Sequence, residues 1–203
     1  MKAIDDPNLF LFGSSCDFGM LIDDWKIILK KIDSIDLTEI ELDEKSYNKD
    51  FDDYVETDFH QINRKGYLVT LMILFEDEIK RICDLLYDIE SLKLKQSELK
   101  GNNLERFRIY ITRVANLDTG INENEFETIH AITEVRNCIV HSNSLLQQFK
   151  GANSIIKLSK TLDGISINDD LLEITLEFCL KCADIISTFI DKVYDAALKR
   201  YPE

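Results

Sequence analysis

Residues 68–89 read LVTLMILFEDEIKRICDLLYDI, and within them Leu68, Met72, Phe75, Ile79, Ile82, Leu86 and Ile89 recur at intervals of 4, 3, 4, 3, 4 and 3. Side chains that return every three or four residues stay on one face of a helix, so these positions make a single apolar seam. Glu76, Asp77, Lys80, Arg81 and Asp84 fall outside it. The spacing predicts a core helix from about Tyr54 to Leu94, in preference to a groove for a partner helix. A second seam runs through Leu172, Leu176, Cys179, Ala183, Ile186, Ile190, Val193 and Ala197. It predicts a closing helix over about 169–198, and the two long helices form the spine of an all-α bundle.

The rest of the chain agrees with that class. Its 203 residues contain seven Gly and two Pro, with no Pro between Pro7 and Pro202, and so few breakers favour helices. We expect about five or six helices. Ser14-Ser15 would cap a first helix ending near Ile32, after an irregular start in which Asp5-Asp6-Pro7-Asn8 is a turn. Residues 33–52 are an acidic linker or loop in which Ile35, Leu37, Ile40 and Leu42 allow a short strand. Gly101 leads a helix from Leu104 to about Ala115, Asn124 to His141 is another, and Leu145 to Thr161 is one helix or two around Gly151. Gly164 and Asn168-Asp169-Asp170 would make a turn and cap the last helix. The boundary suggested is an N-terminal segment of one helix and an acidic linker over 1–52, followed by a helical domain over 53–203.

The net charge is −14, which argues against a general nucleic-acid binder. It is unevenly spread: residues 1–60 carry −10, residues 61–113 carry +2 and residues 114–203 carry −6. Arg106, Arg108 and Arg113 form the densest basic cluster, read as a solvated face with a grip on RNA phosphate as the alternative. The longest apolar run, Leu68 to Phe75, is far too short to span a bilayer, and no signal segment opens the chain. No membrane association is expected. Five cysteines, all but Cys16 in helical apolar patterns, read as reduced and mostly buried thiols of a cytoplasmic protein. The Cys179/Cys182 pair lacks a second ligand pair, so neither a metal nor another cofactor is expected.

One helix carries the chemistry. Residues 134–142 read Glu-Val-Arg-Asn-Cys-Ile-Val-His-Ser, closing a helix with Phe126, Ile129, Ile132, Ile139 and Val140 as its apolar residues. Asn137 and His141 are one turn apart, and the same face extends back to Glu134 and His130. Arg136 lies about 100° round the helix from Asn137, and its long side chain can swing toward the same space. Polar groups beside apolar ones need partners if they are buried.

Arg136-Asn137-x-x-x-His141 at the end of an apolar helix resembles the R-x(4–6)-H signature of the HEPN domains. These are helical bundles, many of them metal-independent ribonucleases of toxin–antitoxin, phage-defence and CRISPR systems. The order of helices around the motif resembles that family over roughly residues 60–198, with Asn137 matching the polar residue that often follows the arginine. The resemblance implies an RNA endonuclease leaving 2′,3′-cyclic phosphate ends. It further implies a homodimer with the two motif helices facing each other, and an antitoxin or other regulatory protein as partner. The chain departs from the toxins whose antitoxin modifies a tyrosine two residues beyond the histidine, since Asn143 stands there.

The residue types suit that chemistry. An unperturbed imidazole titrates near ~6.5, so His141 can move protons at neutral pH. Arg136 offers a planar fork of donors to phosphate oxygens as charge builds on them. Asn137 would orient the histidine or donate to phosphate, and Glu134 would support the imidazole. The alternative is a catalytically silent helical module that binds a protein partner or a nucleotide.

Overall fold

A computed structural model describes residues 6–36 and 49–201, with side chains in the second span from residue 58 onward. The chain is an all-α helical bundle, as the two seams predict. Its elements are α1 (Pro7–Asp33), α2 (Lys49–Glu90), α3 (Asn103–Ile109), α4 (Glu123–Ser142), α5 (Ala152–Leu158), β1 (Ile165–Asn168), β2 (Leu171–Ile174) and α6 (Leu176–Arg200). Most of the acidic linker, and with it the strand suggested around Leu37, Ile40 and Leu42, lies outside the described residues.

Several boundaries differ from the sequence reading. Helix α1 begins at Pro7 rather than Ser14. Asp6 accepts the Leu9 amide on Oδ1 at 3.0 Å and the Phe10 amide on its carbonyl at 3.2 Å. Asp6 is thus an N-cap and Pro7 the first helical residue, where a missing N–H costs nothing. Helix α2 starts at Lys49, since no breaker stands between it and Tyr54, and it stops at Glu90. Ser91 there takes a φ of 51°, and the Leu92 amide turns back to the Tyr87 carbonyl at 3.1 Å. Helix α3 widens into a π turn over Tyr110–Val114, closed by the Ala115 amide on the Tyr110 carbonyl at 2.9 Å.

The largest difference lies before α6. Residues 165–174 form an antiparallel hairpin pairing Ile165 with Ile174 and Asn168 with Leu171. Asp169 and Asp170 occupy the turn at φ 46° and 73°, the left-handed pair that a two-residue hairpin requires. They are therefore not the cap of α6. That role falls to Thr175, whose Oγ1 accepts the Phe178 amide at 3.2 Å.

Two compact units divide the chain. The first comprises residues 1–22, 71–130 and 184–203. Phe189 lies at its centre, with ring centroids 5.9 Å from Phe75, 6.2 Å from Phe107 and 5.3 Å from Phe126. Glu78 is buried in this unit and accepts from Arg81 at 2.7 and 2.9 Å and from the Tyr194 hydroxyl. The second unit comprises residues 23–70 and 131–183. Its core includes Leu29, Leu68, Ile132, Val135, Cys138, Leu172, Phe178 and Cys182, with Trp25 edge-on to Tyr67 at 6.2 Å. Arg64 holds Asp33 bidentately at 2.6 and 3.0 Å. Among the described residues, no helix is long and apolar enough to cross a membrane.

Candidate functional site

Helix α4 is fixed at both ends. At the start, Asn122 Oδ1 accepts the Glu125 amide at 3.1 Å while Glu125 Oε2 accepts the Asn122 amide at 3.0 Å, a reciprocal capping box. Phe126, Ile129, Ile132, Val135 and Cys138 are buried and set its rotation. That rotation leaves Glu134, Arg136 and Asn137 half-buried and His130 and His141 exposed.

At the far end the chain reverses through Asn143 and Ser144, at φ 48° and 67°. The Ser144 amide donates to the Cys138 carbonyl at 3.1 Å, and the buried Ser144 accepts the Leu172 amide on its own carbonyl at 2.9 Å. The hairpin turn holds the next two residues. The Leu146 amide donates to the Asp170 carbonyl at 3.0 Å, and the Gln147 amide donates to both Asp170 carboxylate oxygens at 2.8 and 3.0 Å.

Three of the expected residues are joined in a chain. Arg136 Nη1 donates to Asn137 Oδ1 at 3.0 Å, and Asn137 Nδ2 donates to Glu134 Oε1 at 3.4 Å. Both ends of the Asn137 amide are therefore taken by these neighbours rather than by His141. Arg136 Nε is buried and has no hydrogen-bond partner among the described residues. A buried donor without an acceptor is costly. The Glu134 carboxylate lies against the 149–151 turn: a Cβ built on Gly151 would fall 1.8 Å from Glu134 Oε2 and 2.5 Å from the Phe149 ring. His141 is exposed on the last turn of α4 and makes no hydrogen bond among the described residues.

The basic cluster on α3 belongs to the first unit and is partly spent. Both Nη atoms of Arg108 donate to the Glu123 carboxylate, one at 2.8 Å, and its guanidinium lies 4.9 Å over the Phe126 ring. Arg106 Nη2 donates to Asn103 Oδ1, while Arg113 is exposed. Arg108 thus behaves as a solvated ion pair stacked on an aromatic ring, and its fork is not open to phosphate.

The sequence reading passed over Lys65, and took Asp170 and Gly151 only as turn or boundary residues. Lys65, on α2, is half-buried; desolvation holds its ammonium below the usual lysine range, against the fields of Glu173, Asp58 and Cys138. It is a cationic group close to the motif helix, beside Asn137's neighbour Cys138. The partners of Asp170 and Gly151 left no local signal, because they are remote in sequence.

Among the described residues, no group of three or more His, Cys, Asp or Glu side chains could hold a metal ion. Cys179 and Cys182 are buried in the core, and the Cys179 thiol donates to the Arg64 carbonyl at 3.6 Å. No model of a known protein family, no curated protein and no solved structure matches the chain.

Proposed function

We propose that the chain is a metal-independent RNA endonuclease of the HEPN type, a chemistry that suits a toxin or a phage-defence effector. The observation that supports it most is the presence on one helix of a half-buried Arg136, held by Asn137, and an exposed His141. RNA carries its own nucleophile, so the protein has only to move protons and stabilise charge. The ribose 2′-OH attacks the adjacent phosphorus, the bond from phosphorus to the 5′-oxygen breaks, and a 2′,3′-cyclic phosphate and a 5′-hydroxyl result. A histidine takes the 2′-OH proton and a second delivers one to the leaving oxygen. Arg136 meets the charge that builds on the non-bridging oxygens. One His141 per chain makes a sparse site, which is why the reading includes a homodimer with facing motif helices.

Purified protein in EDTA should cleave single-stranded RNA and leave cyclic-phosphate ends. A substrate with a 2′-deoxyribose at the scissile position should be spared. His141→Ala should lower the rate ~10²–10⁴-fold. Cleavage that survives in folded His141→Ala protein would defeat the proposal.

A second reading, a catalytically silent module that binds a protein partner or nucleotide, has one observation in its favour. Glu134 stands in the same hydrogen-bonded chain as Arg136, in a protein of net charge −14, and offsets the cation that phosphate would need. Wild-type protein that cleaves no RNA, yet co-purifies with a stoichiometric partner, would put that reading ahead.

A further inference from the structure

The carboxylate of Glu134 and the ring of Phe149 converge where Gly151 has no side chain. A Cβ at Gly151 would fall 1.8 Å from Glu134 Oε2 and 2.5 Å from Phe149 Cε1, so the two groups are neighbours across that glycine. The φ of Gly151, −83°, is open to other residues, so its backbone does not call for glycine. What the missing side chain allows is the meeting of carboxylate and ring.

Both groups are held in place and neither is used up. Glu134 is half-buried, and its Oε1 takes the Asn137 amide at 3.4 Å, near the limit of a hydrogen bond. Oε2 takes none among the described residues. A carboxylate accepts about four hydrogen bonds, so most of that capacity is unspent. Phe149 is also half-buried, which leaves part of its ring in water. The backbone sets its position. Its amide donates to the Leu146 carbonyl at 2.9 Å, its carbonyl accepts the Ala152 amide at 3.3 Å, and Leu146 and Gln147 are tied to Asp170. An aromatic ring already fixed on its turn lets a flat ligand stack with little further ordering.

Ring and carboxylate point to one ligand chemistry. A ring stacks on any nucleobase, because every base has a π face. The carboxylate chooses among them. Its two oxygens accept and never donate, so they match two adjacent donors on one edge. Guanine has that pair on its Watson–Crick edge, N1–H beside the N2 amino group. Adenine and cytosine place a ring acceptor beside their amino group, and uracil places its one N–H between two carbonyls. Each of those edges sets an acceptor against the carboxylate, which costs affinity.

We propose that Glu134 and Phe149 form a binding site for guanine, with Phe149 stacked on the base and the Glu134 carboxylate accepting from N1–H and the N2 amino group. The Asn137 amide stands between this carboxylate and Arg136, so the sugar and phosphate of the same nucleotide extend toward the arginine. A guanine in RNA and a free guanosine nucleotide share this chemistry. In RNA the site would fix the base beside the cut, and that consequence alone rests on the ribonuclease reading.

The test measures binding without cleavage. Short RNA oligonucleotides with 2′-fluoro sugars, bearing one guanine or hypoxanthine in its place, are titrated into the full chain by fluorescence anisotropy. Guanosine and inosine 5′-monophosphates are titrated by calorimetry. Hypoxanthine lacks only the N2 amino group, so wild type should bind the guanine form about tenfold more tightly or better. Glu134→Gln keeps an acceptor for the Asn137 amide and loses the second one for the base, so it should bind both forms alike. Phe149→Ala should weaken the guanine form about tenfold or more, and Phe149→Trp should restore it. The guanine-to-hypoxanthine ratio is read within each variant, so partial unfolding does not imitate its loss. Preference in the oligonucleotides alone assigns the site to RNA, and preference in the monophosphates as well assigns it to a free nucleotide. No binding, equal affinity of wild type for both forms in both series, or a preference that survives Glu134→Gln would overturn the site. RNA cleavage that ignores guanine would also overturn it and leave the ribonuclease reading intact. Guanine binding without cleavage of any RNA would do the reverse.

Discussion

Arg136 and Asn137 are neighbours in the chain and are bonded side chain to side chain, guanidinium Nη1 to amide Oδ1 at 3.0 Å. Successive residues of a helix point about 100° apart, so the bond draws the arginine round toward the exposed face. The amide thereby aims the arginine while the histidine stands free of both.

Replacing Arg136 tests the fork. Lysine keeps the charge and loses the planar pair of donors, so Arg136→Lys should lower RNA cleavage ~10²-fold or more. Asn137→Ala should cost less, about tenfold, by loosening the arginine without removing it. Single-turnover rates on one RNA report both, with urea midpoints on the same samples to set aside loss of folding. A fully active Arg136→Lys protein would show that no bidentate contact is made.

Gly151 has an ordinary φ of −83°, so its constraint is steric. Gly151→Ala would drive a methyl group into Glu134 Oε2 and should destabilise by ~1–3 kcal/mol. In a Glu134→Ala background only the Phe149 ring, 2.5 Å from the added carbon, still stands in the way, and the same substitution should cost less. Additive effects in the double-mutant cycle would mean that the two residues do not touch.

Arg81 and Glu78 make a third pair to separate. The Glu78 side chain is 7 % exposed, so Arg81→Met leaves a buried carboxylate with Tyr194 as its remaining neutral donor. A loss of ~3–5 kcal/mol is expected in chemical denaturation. Glu78→Met with Arg81→Met removes both charges and should recover much of it. If the double variant is no better than Arg81→Met, the carboxylate is not a buried liability.

Stability should fall in alkali. Burial pushes the Cys179 thiol up to about 12 and the Cys83 thiol higher still, and it holds the Cys182 thiol well above its ordinary value. An unfolded thiol ionises near ~8.5, and a raised folded value means that the folded chain keeps protons the unfolded chain sheds. The contribution is complete below about pH 8.5 and declines as pH rises toward 12, by about 1.4 kcal/mol per pH unit for each fully buried thiol. Tyr194 steepens the decline beyond about pH 10, because burial, aided by Glu78, holds its phenol protonated. Urea midpoints should be level from pH 7 to 8 and drop from pH 9. Cys179→Val should make that slope shallower, and an unchanged slope would contradict the assignment.

What could be read from the residues was what a helix repeats. The seams through Leu68–Leu86 and Cys179–Ala197 marked side chains that are buried, and the spacing of Glu134, Asn137 and His141 placed them on one side of α4. The Asp6-Pro7 start of α1 was legible in retrospect, since an acidic cap before proline is a helix beginning as readily as a turn. The hairpin was harder: Ile165-Ser166-Ile167-Asn168 is too short for its alternation to stand out beside α6. The π turn at Tyr110–Val114 has no pattern of its own, because one extra residue in a turn reflects packing. Bonds such as Gln147 to Asp170 span 23 residues, and no local rule reveals them.

The reversal after His141 gives the motif helix a distant witness. The amides of Leu146 and Gln147 lie beyond the motif, and that of Leu172 comes from β2, yet all three are tied to the stop of α4 through Ser144 and Asp170. Deuterium would enter the Leu172 amide when that stop opens, and the Leu146 and Gln147 amides when the hairpin turn that braces it lets go. Their exchange therefore records, from outside the helix, how often the end bearing His141 frays, and an oligonucleotide that never touches the hairpin would still slow them.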